Sequence, residues 1–431
     1  MNAGGLPNAA GQRRRVLLVA FHFPPLAGSS GIQRTLRFVQ HLPALGWQPL
    51  VLSADPRAFE RTGDDLLSDI PAGTIVRRAF ALDTARHLAV RGRYIGALAR
   101  PDRWMSWRFD AVRQGMALIR QYQPEAIWST YPIATAHLIG AELQRRSGLP
   151  WIADFRDPMA QHGYPADPLT WQHYDRIERH ALLNATLSTF TTPGAAAEYR
   201  RRYPQAAERV RLLENGYDEA TFASTDARAL DAAGPLTPGA ITLLHSGIVY
   251  PSERDPTQLM VALRRLNDAR VIAPGQLKVR FRAAVADELL QRLAAEHGVQ
   301  AYIETCPALP YREALEEMLR ADGLLVMQAD NCNAQIPAKV YEYLRARRPT
   351  LGLTDPTGDT AGVLRQAGLT HVAALESADA IAATLAAFLD DLRHHRAPLA
   401  DRQAVQGASR TARSEELARL LASIMRVPWN P

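Results

Sequence analysis

Lysine is almost missing from this chain. Of its 50 basic residues two are lysine, Lys278 and Lys339, and the other 48 are arginine. Cysteine is nearly as scarce: Cys306 and Cys332 exclude a disulfide framework and point to a reducing compartment. No apolar run reaches the ~20 residues that a spanning helix needs. The stretch Val16–Phe21 behind Arg13-Arg14-Arg15 runs straight into Pro24-Pro25 and has no small-residue cleavage site, so it does not read as a signal peptide. G-x-G-x-x-G, the phosphate-binding P-loop, G-x-S-x-G and C-x-x-C are all absent, which excludes the commonest nucleotide, hydrolase and thiol-redox signatures. His173 and His180 lack the spacing of a metal motif.

What is present suits a globular protein of about two domains: 431 residues, 47% of them hydrophobic and 22% charged. The net charge of +6 is concentrated. Between 84 and 123 stand eight arginines (86, 91, 93, 100, 103, 108, 113 and 120) against Asp102 and Asp110, interleaved with Tyr94, Trp104, Trp107, Phe109 and Tyr122. Arginine beside interfacial aromatics suits an anionic membrane surface or a pyrophosphate-bearing partner. No nucleic-acid motif accompanies the charge, so nucleic acid is not expected as a partner.

Along the chain, buried-type strands alternate with helices. Strands are expected at 15–20, 49–53, 126–129, 151–154, 187–192 and 210–214, with helices between them. A second series follows at 241–245, 278–282, 301–304, 323–327 and 350–353. Continuous apolar strands alternating with helices imply doubly wound parallel sheets. The expected layout is a disordered 1–12, a first Rossmann-like lobe over 13–218 and a linker over 219–239. A second Rossmann-like lobe then covers 240–405, and an amphipathic helix within 406–431 crosses back to the first lobe.

In such sheets ligands bind beyond the carboxyl ends of strands. Five loops fall there. Phe21–Ile32 carries Gly28 and Gly31 just before a helix. His245–Pro256 carries Gly247 and Arg254, and Asp255-Pro256 reads as a helix start. Asp330–Gln335 leads into Ile336-Pro-Ala-Lys-Val-Tyr-Glu-Tyr-Leu344, where Pro337 suits a first helical turn and Lys339 and Glu342 share one face. In a chain that uses arginine nearly everywhere, lysine at 339 suggests a need for a compact ammonium. Both loops of the second lobe thus set a cation at a helix start, a seat for phosphate. Asp154-Phe-Arg-Asp-Pro158 groups Asp154, Arg156 and Asp157 after a buried strand, and Asn215-Gly-Tyr-Asp218 reads as a hinge turn.

The ordered set Pro-Pro…Gly-x-x-Gly, Asp-Phe-Arg-Asp-Pro, Asn-Gly-Tyr-Asp and Pro-Ala-Lys-x-Tyr-Glu-Tyr-Leu resembles family 4 of the retaining glycosyltransferases. The resemblance implies the GT-B fold, two Rossmann-like lobes facing across a cleft. It implies a nucleotide diphosphate sugar as donor, held without metal or cofactor, and a glycan or lipid-linked acceptor on the first lobe. It assigns Lys339 and Arg254 to the diphosphate, Glu342 to the ribose, Gly28, Gly31 and Gly247 to the donor loops, and Arg156, Asp157 and Asp154 to the acceptor side. The family's first Glu is here Ala334, so Asn333, Gln335 or the N–H groups of 333–336 are expected in its place. That substitution keeps an inactive nucleotide-binding relative in view; an epimerase of the same fold lacks an acid–base constellation here. A bacterial protein is expected; the scarcity of cysteine points to the cytoplasm, and the 84–123 stretch to the inner face of the membrane.

Overall fold

The computed structural model describes residues 13–29, 31–231 and 234–425. The expected disorder of 1–12 lies outside the described residues. Two compact units emerge: residues 1–214 with 410–431, and residues 215–409.

The first unit is built on seven parallel strands: β1 (Arg14–Val19), β2 (Trp47–Ala54), β3 (Ile75–Ala79), β4 (Ala126–Thr130), β5 (Trp151–Arg156), β6 (Leu187–Phe190) and β7 (Val210–Leu212), in the order β3-β2-β1-β4-β5-β6-β7. Their registers run without slip except at Asp154/Arg156, where β5 bulges against β6. The strands read VLLV or AIWST because helices cover both faces, leaving no solvent side for alternation. One face carries Leu17, Leu50, Ile127 and Ala153 under helices 107–122 and 135–147. The other carries Val16, Leu18, Trp128 and Ile152 under helix 31–41 and the last helix, 410–424.

The second unit repeats the plan with β8 (Ile241–Ser246), β9 (Leu277–Arg282), β10 (Ile303–Cys306), β11 (Gly323–Met327), β12 (Thr350–Leu353) and β13 (Val372–Ala373), all parallel, in the order β10-β9-β8-β11-β12-β13. In each sheet the winding reverses once, between β1 and β4 and between β8 and β11. Loops leaving those strand ends diverge and leave room for a ligand.

Several elements differ from expectation. The linker expected over 219–239 begins as a helix, Glu219–Asp231. Phe222 sits fully buried in the second unit's core, and Arg345 lies over its ring while bonding Glu219 and Asp226. The second unit continues to Ser409 instead of ending at 405, because Tyr217 pairs with Ser409 and donates its N–H to the Ala408 carbonyl at 3.1 Å. Helices 107–122, 378–393 and 402–407 and strands β3 and β13 were not foreseen. The 16-residue helix 107–122 buries Trp107, Ala111, Val112, Gly115, Leu118 and Ile119. A Cβ on Gly115 would lie 2.8 Å from Leu143, so this helix packs against 135–147 at a distance that only glycine allows.

Candidate functional site

In the second unit, the reversal between β8 and β11 gathers most of the expected donor residues. His245 is fully buried on β8, and its Nδ1 lies 3.0 Å from the Leu325 carbonyl of β11. A carbonyl only accepts, so Nδ1 carries the proton and Nε2 is left as an acceptor. Lys339, the first residue of helix 339–346, donates from Nζ to that Nε2 at 3.1 Å. Gly247, one residue past the strand, has φ +119, and a Cβ there would lie 3.1 Å from Lys339 Nζ. Both the backbone angle and the ammonium beneath it demand glycine. Tyr343, one turn along the same helix, accepts the Ser246 N–H at 3.0 Å and so locks helix to strand end.

Arg254 completes the cationic pair. It stacks over Tyr250, its centre 5.2 Å from the ring, and donates to the Ile248 carbonyl at 2.8 Å; its Nε is buried without a partner. The 247–256 and 328–338 loops are tied together, Ala329 N–H to the Glu253 carbonyl at 2.7 Å and the Asn331 amide to Ser252 at 2.9 Å. Burial, then the neighbouring Arg254, pushes the Lys339 ammonium down to about 7, with Glu342 opposing. Burial, then Lys339 and Arg254, holds the His245 imidazole neutral, well below its usual range. Glu342 accepts the Tyr311 hydroxyl at 2.7 Å. The site therefore offers a compact ammonium, a stacked guanidinium and two helix starts on one side, and a carboxylate a turn away. That is a complement for a diphosphate joined to a diol.

The Asn333 side chain and the main chain of Gln335 are engaged elsewhere. The Asn333 side-chain amide donates to Asp355, its main-chain carbonyl accepts the Asp359 N–H at 3.1 Å, and Gly358 stands where a Cβ would come within 2.7 Å of the Asn333 Oδ1. Asn333 thus braces the 355–359 turn. Gln335 spends its N–H on the Cys332 carbonyl at 2.9 Å, and its own carbonyl accepts from Gln328 and Thr360. The N–H of Asn333 likewise closes a turn onto Asp330. These main-chain groups of Asn333 and Gln335 are consumed in shaping the loop. Pro337 lies two residues ahead of the helix and not in its first turn, its carbonyl accepting the Val340 N–H at 2.9 Å.

One feature of the second unit had no sequence signal. Ala283 and Val285, both non-glycine, hold positive φ of 56° and 63° in the loop after β9. The backbone bonds Gly247 N–H to Arg282 and Val249 N–H to Ala284 knit this loop to the Gly247 loop. Left-handed backbone at a β-branched residue is strained and persists only where its surroundings over-determine it.

In the first unit the reversal between β1 and β4 gathers another cluster. Gly28 has φ +79. A Cβ on Gly31 would lie 2.5 Å from His22 Nδ1 and 2.6 Å from a terminal nitrogen of Arg156. Ser29 Oγ accepts the Gly31 N–H at 3.3 Å and reaches His22 Nδ1 at 3.1 Å. Burial, then Arg156, lowers the His22 imidazole to about 4, so it is neutral. Arg156 itself has φ 58, held by Thr191 bonding its carbonyl at 2.7 Å, and its Nε is buried without a partner. Asp157 beside it is exposed.

Asp154 is a correction. It is fully buried, and its carboxylate accepts from Arg34 at 2.8 and 3.0 Å and from Thr130 and Thr189 at 2.8 Å each. Burial acts to raise this carboxyl, but Arg34 and the two hydroxyls override it and hold it below its usual range. Arg34 also bonds the carbonyls of Leu213 and Glu214. Asp154 is the anchor of the sheet's far end, with no lone pair left for an acceptor sugar. Among the described residues no group of three or more His, Cys, Asp or Glu is placed to hold a metal ion.

Residues 30–216 match the family model described as a glycosyl transferase 4-like domain. A sequence comparison with curated proteins finds no match. Among solved structures, sucrose-phosphate synthase from Thermosynechococcus elongatus superposes with a TM-score of 0.62 at 15% identity, over 95% of this chain and 99% of that one. Anabaena Alr3699/HepE, solved in complex with UDP and glucose, gives 0.61 at 12% identity over 96% and 100%. The α,α-trehalose 6-phosphate synthase of Burkholderia multivorans gives 0.60 at 12% over 97% and 100%. At such identities the likeness establishes a shared fold, and that fold spans nearly the whole chain.

Proposed function

We propose that this chain, a GT-B protein whose first unit carries a glycosyl transferase 4-like domain and resembles family 4 of the glycosyltransferases, transfers a sugar from a nucleotide diphosphate sugar to a glycan or lipid-linked acceptor. The reading includes retention of configuration and a diphosphate held by side chains in place of a metal ion. It takes the reaction to occur in the cytoplasm. Support for a nucleotide sugar comes from Anabaena Alr3699/HepE, whose structures hold UDP and UDP-glucose.

The observation that carries the reading is the Lys339–His245–Gly247–Arg254 arrangement. As the bond from the anomeric carbon to the diphosphate breaks, negative charge grows on the departing phosphate oxygen. Lys339 and Arg254 stand fixed beforehand, one by His245 and the other by Tyr250 and the Ile248 carbonyl, so they need no reorganisation when that charge appears. Glu342 would accept the ribose hydroxyls. In the first unit, His22, Arg156 and the exposed Asp157 would meet the acceptor.

A donor screen by nucleotide release identifies the sugar nucleotide. With that donor, Lys339→Ala is expected to lower transfer by about 10²-fold or more, the effect of losing one preorganised charge-stabilising donor. Transfer by the wild type should persist in EDTA. Undiminished transfer by Lys339→Ala removes the role given to that residue. Tight binding of a nucleotide sugar that is never consumed replaces the reading with an inactive binder, which Ala334 would account for.

A further inference from the structure

The arginine-rich stretch between 84 and 123 is less charged at the surface than its composition implies. Arg86 is bonded to the Phe59 carbonyl, Arg100 to Asp167, Arg103 to Glu60 with Asp83 nearby, and Arg113 to Asp110. Arg91 and Arg93 are exposed and, like Arg108 and Arg120, pair with no carboxylate among the described residues.

Arg91 and Arg93 sit on a built structure. Val90 and Arg93 exchange both backbone hydrogen bonds, at 2.8 and 3.1 Å, and Arg91 and Gly92 between them have φ of 53° and 76°. That is a two-residue hairpin turn with both central residues left-handed. Its base is fastened: Thr84 Oγ1 reaches the Leu98 carbonyl at 2.9 Å and the Arg103 carbonyl at 3.0 Å, and the buried Asp83 caps the short helix 84–87. From this fastened base the segment 90–98 is exposed at every residue. It nevertheless carries Val90 at 75% exposure, Ile95 at 69%, and Leu98 and Tyr94 above 40%, with Leu88 just ahead. Isolated exposed aliphatics are ordinary, but four of them and a tyrosine on one ordered segment with two unpaired arginines are not.

We propose that the 88–98 hairpin is a membrane-docking element that inserts Leu88, Val90, Ile95 and Leu98 into the acyl boundary of an anionic bilayer, while Arg91 and Arg93 meet lipid phosphates and Tyr94 sits at headgroup level. The charge selects the occupant: both unpaired side groups are cationic, and an anionic lipid surface supplies phosphates together with an apolar layer directly beneath them. A nucleic acid supplies the phosphates but no apolar volume for Val90 and Ile95. The proposal stands on this segment alone and does not depend on the transferase reading.

The test is co-sedimentation of the full chain with phosphatidylcholine vesicles and with vesicles of phosphatidylcholine mixed with phosphatidylglycerol. Binding to the mixed vesicles only, weakening as salt rises, is expected. Arg91→Ala/Arg93→Ala should weaken it about thirty-fold, the effect of removing two cations at about 1 kcal/mol each. Val90→Ser/Ile95→Ser should weaken it as well while leaving the charge intact. Both pairs are solvent-exposed, and unchanged circular dichroism confirms that the fold survives. Absence of binding to mixed vesicles, equal binding to pure phosphatidylcholine, or indifference to either double substitution overturns the proposal. So does a chain that ignores vesicles but binds a single-stranded oligonucleotide through Arg91 and Arg93.

Discussion

Lys339 is placed where its protonation decides what it can do. In the unfolded chain a lysine keeps its proton to about pH 10; folded, beside His245 and Arg254, it keeps it only to about 7. Between those values the unfolded state binds the extra proton, so this residue's contribution to stability grows as pH rises through the window and is lost as pH falls toward 7. Anion binding runs the other way. A diphosphate requires the ammonium, so above about pH 7 the protein must take up a proton to bind it. The dissociation constant of the nucleotide diphosphate is expected to rise with pH by up to about tenfold per unit above 7. Lys339→Arg, always charged, should flatten that slope. Isothermal titration between pH 6.5 and 9 reads both, and a wild-type constant that stays level would contradict this account. Lys339 and Gly247 could be singled out in the sequence because composition and loop position marked them. Asp154 could not be interpreted correctly there, since its partner Arg34 stands 120 residues away and nothing local announces the pair. Arg156, in contrast, kept both its grouping with Asp157 and an unpartnered nitrogen.

Among elements, those with a continuous apolar run were readable and those with small or sparse apolar faces were not. Strands β11 and β12 fall at their expected bounds. Helix 107–122 hid behind its charge: its buried face is partly Ala111 and Gly115, and the surrounding arginines drew the eye to a surface. Helix 378–393 is rich in alanine, which marks no face. The last helix shows what a single element holds together. Leu417 and Leu421 are fully buried and Ile424 nearly so, against Phe38, Trp47 and Val16. Leu421→Ala should cost about 2–5 kcal/mol by cavity formation, read by denaturant unfolding of the first unit. A cost near zero would mean that this helix is not integral to the sheet it covers.

At the scale of the molecule, two units with separate cores predict two unfolding transitions. Gly28 and Gly31 apart, the candidate donor residues lie in the second unit. Whichever of UDP, GDP or dTDP binds should therefore raise that unit's transition alone, by about 2.7 kcal/mol at a hundredfold excess over its dissociation constant. Equal shifts in both transitions, measured by calorimetry, would place the site elsewhere. The paired-sheet architecture was visible in the alternation of the sequence, while the exact seams at 214/215 and 409/410 were not, because they depend on the backbone pairing of Tyr217 with Ala408 and Ser409.

The return of residues 410–424 to the first sheet also sets an order of events during synthesis. Domains usually close in the order in which they leave the ribosome. Here the unit that begins first finishes last. Residues 215–409 are uninterrupted and can close as soon as Ser409 has emerged, while the face bearing Phe38, Trp47 and Val16 waits for the final helix. For the time needed to translate the whole second unit, the first is a sheet with one side uncovered, and a nascent chain stalled anywhere before residue 410 presents that bare apolar face to chaperones.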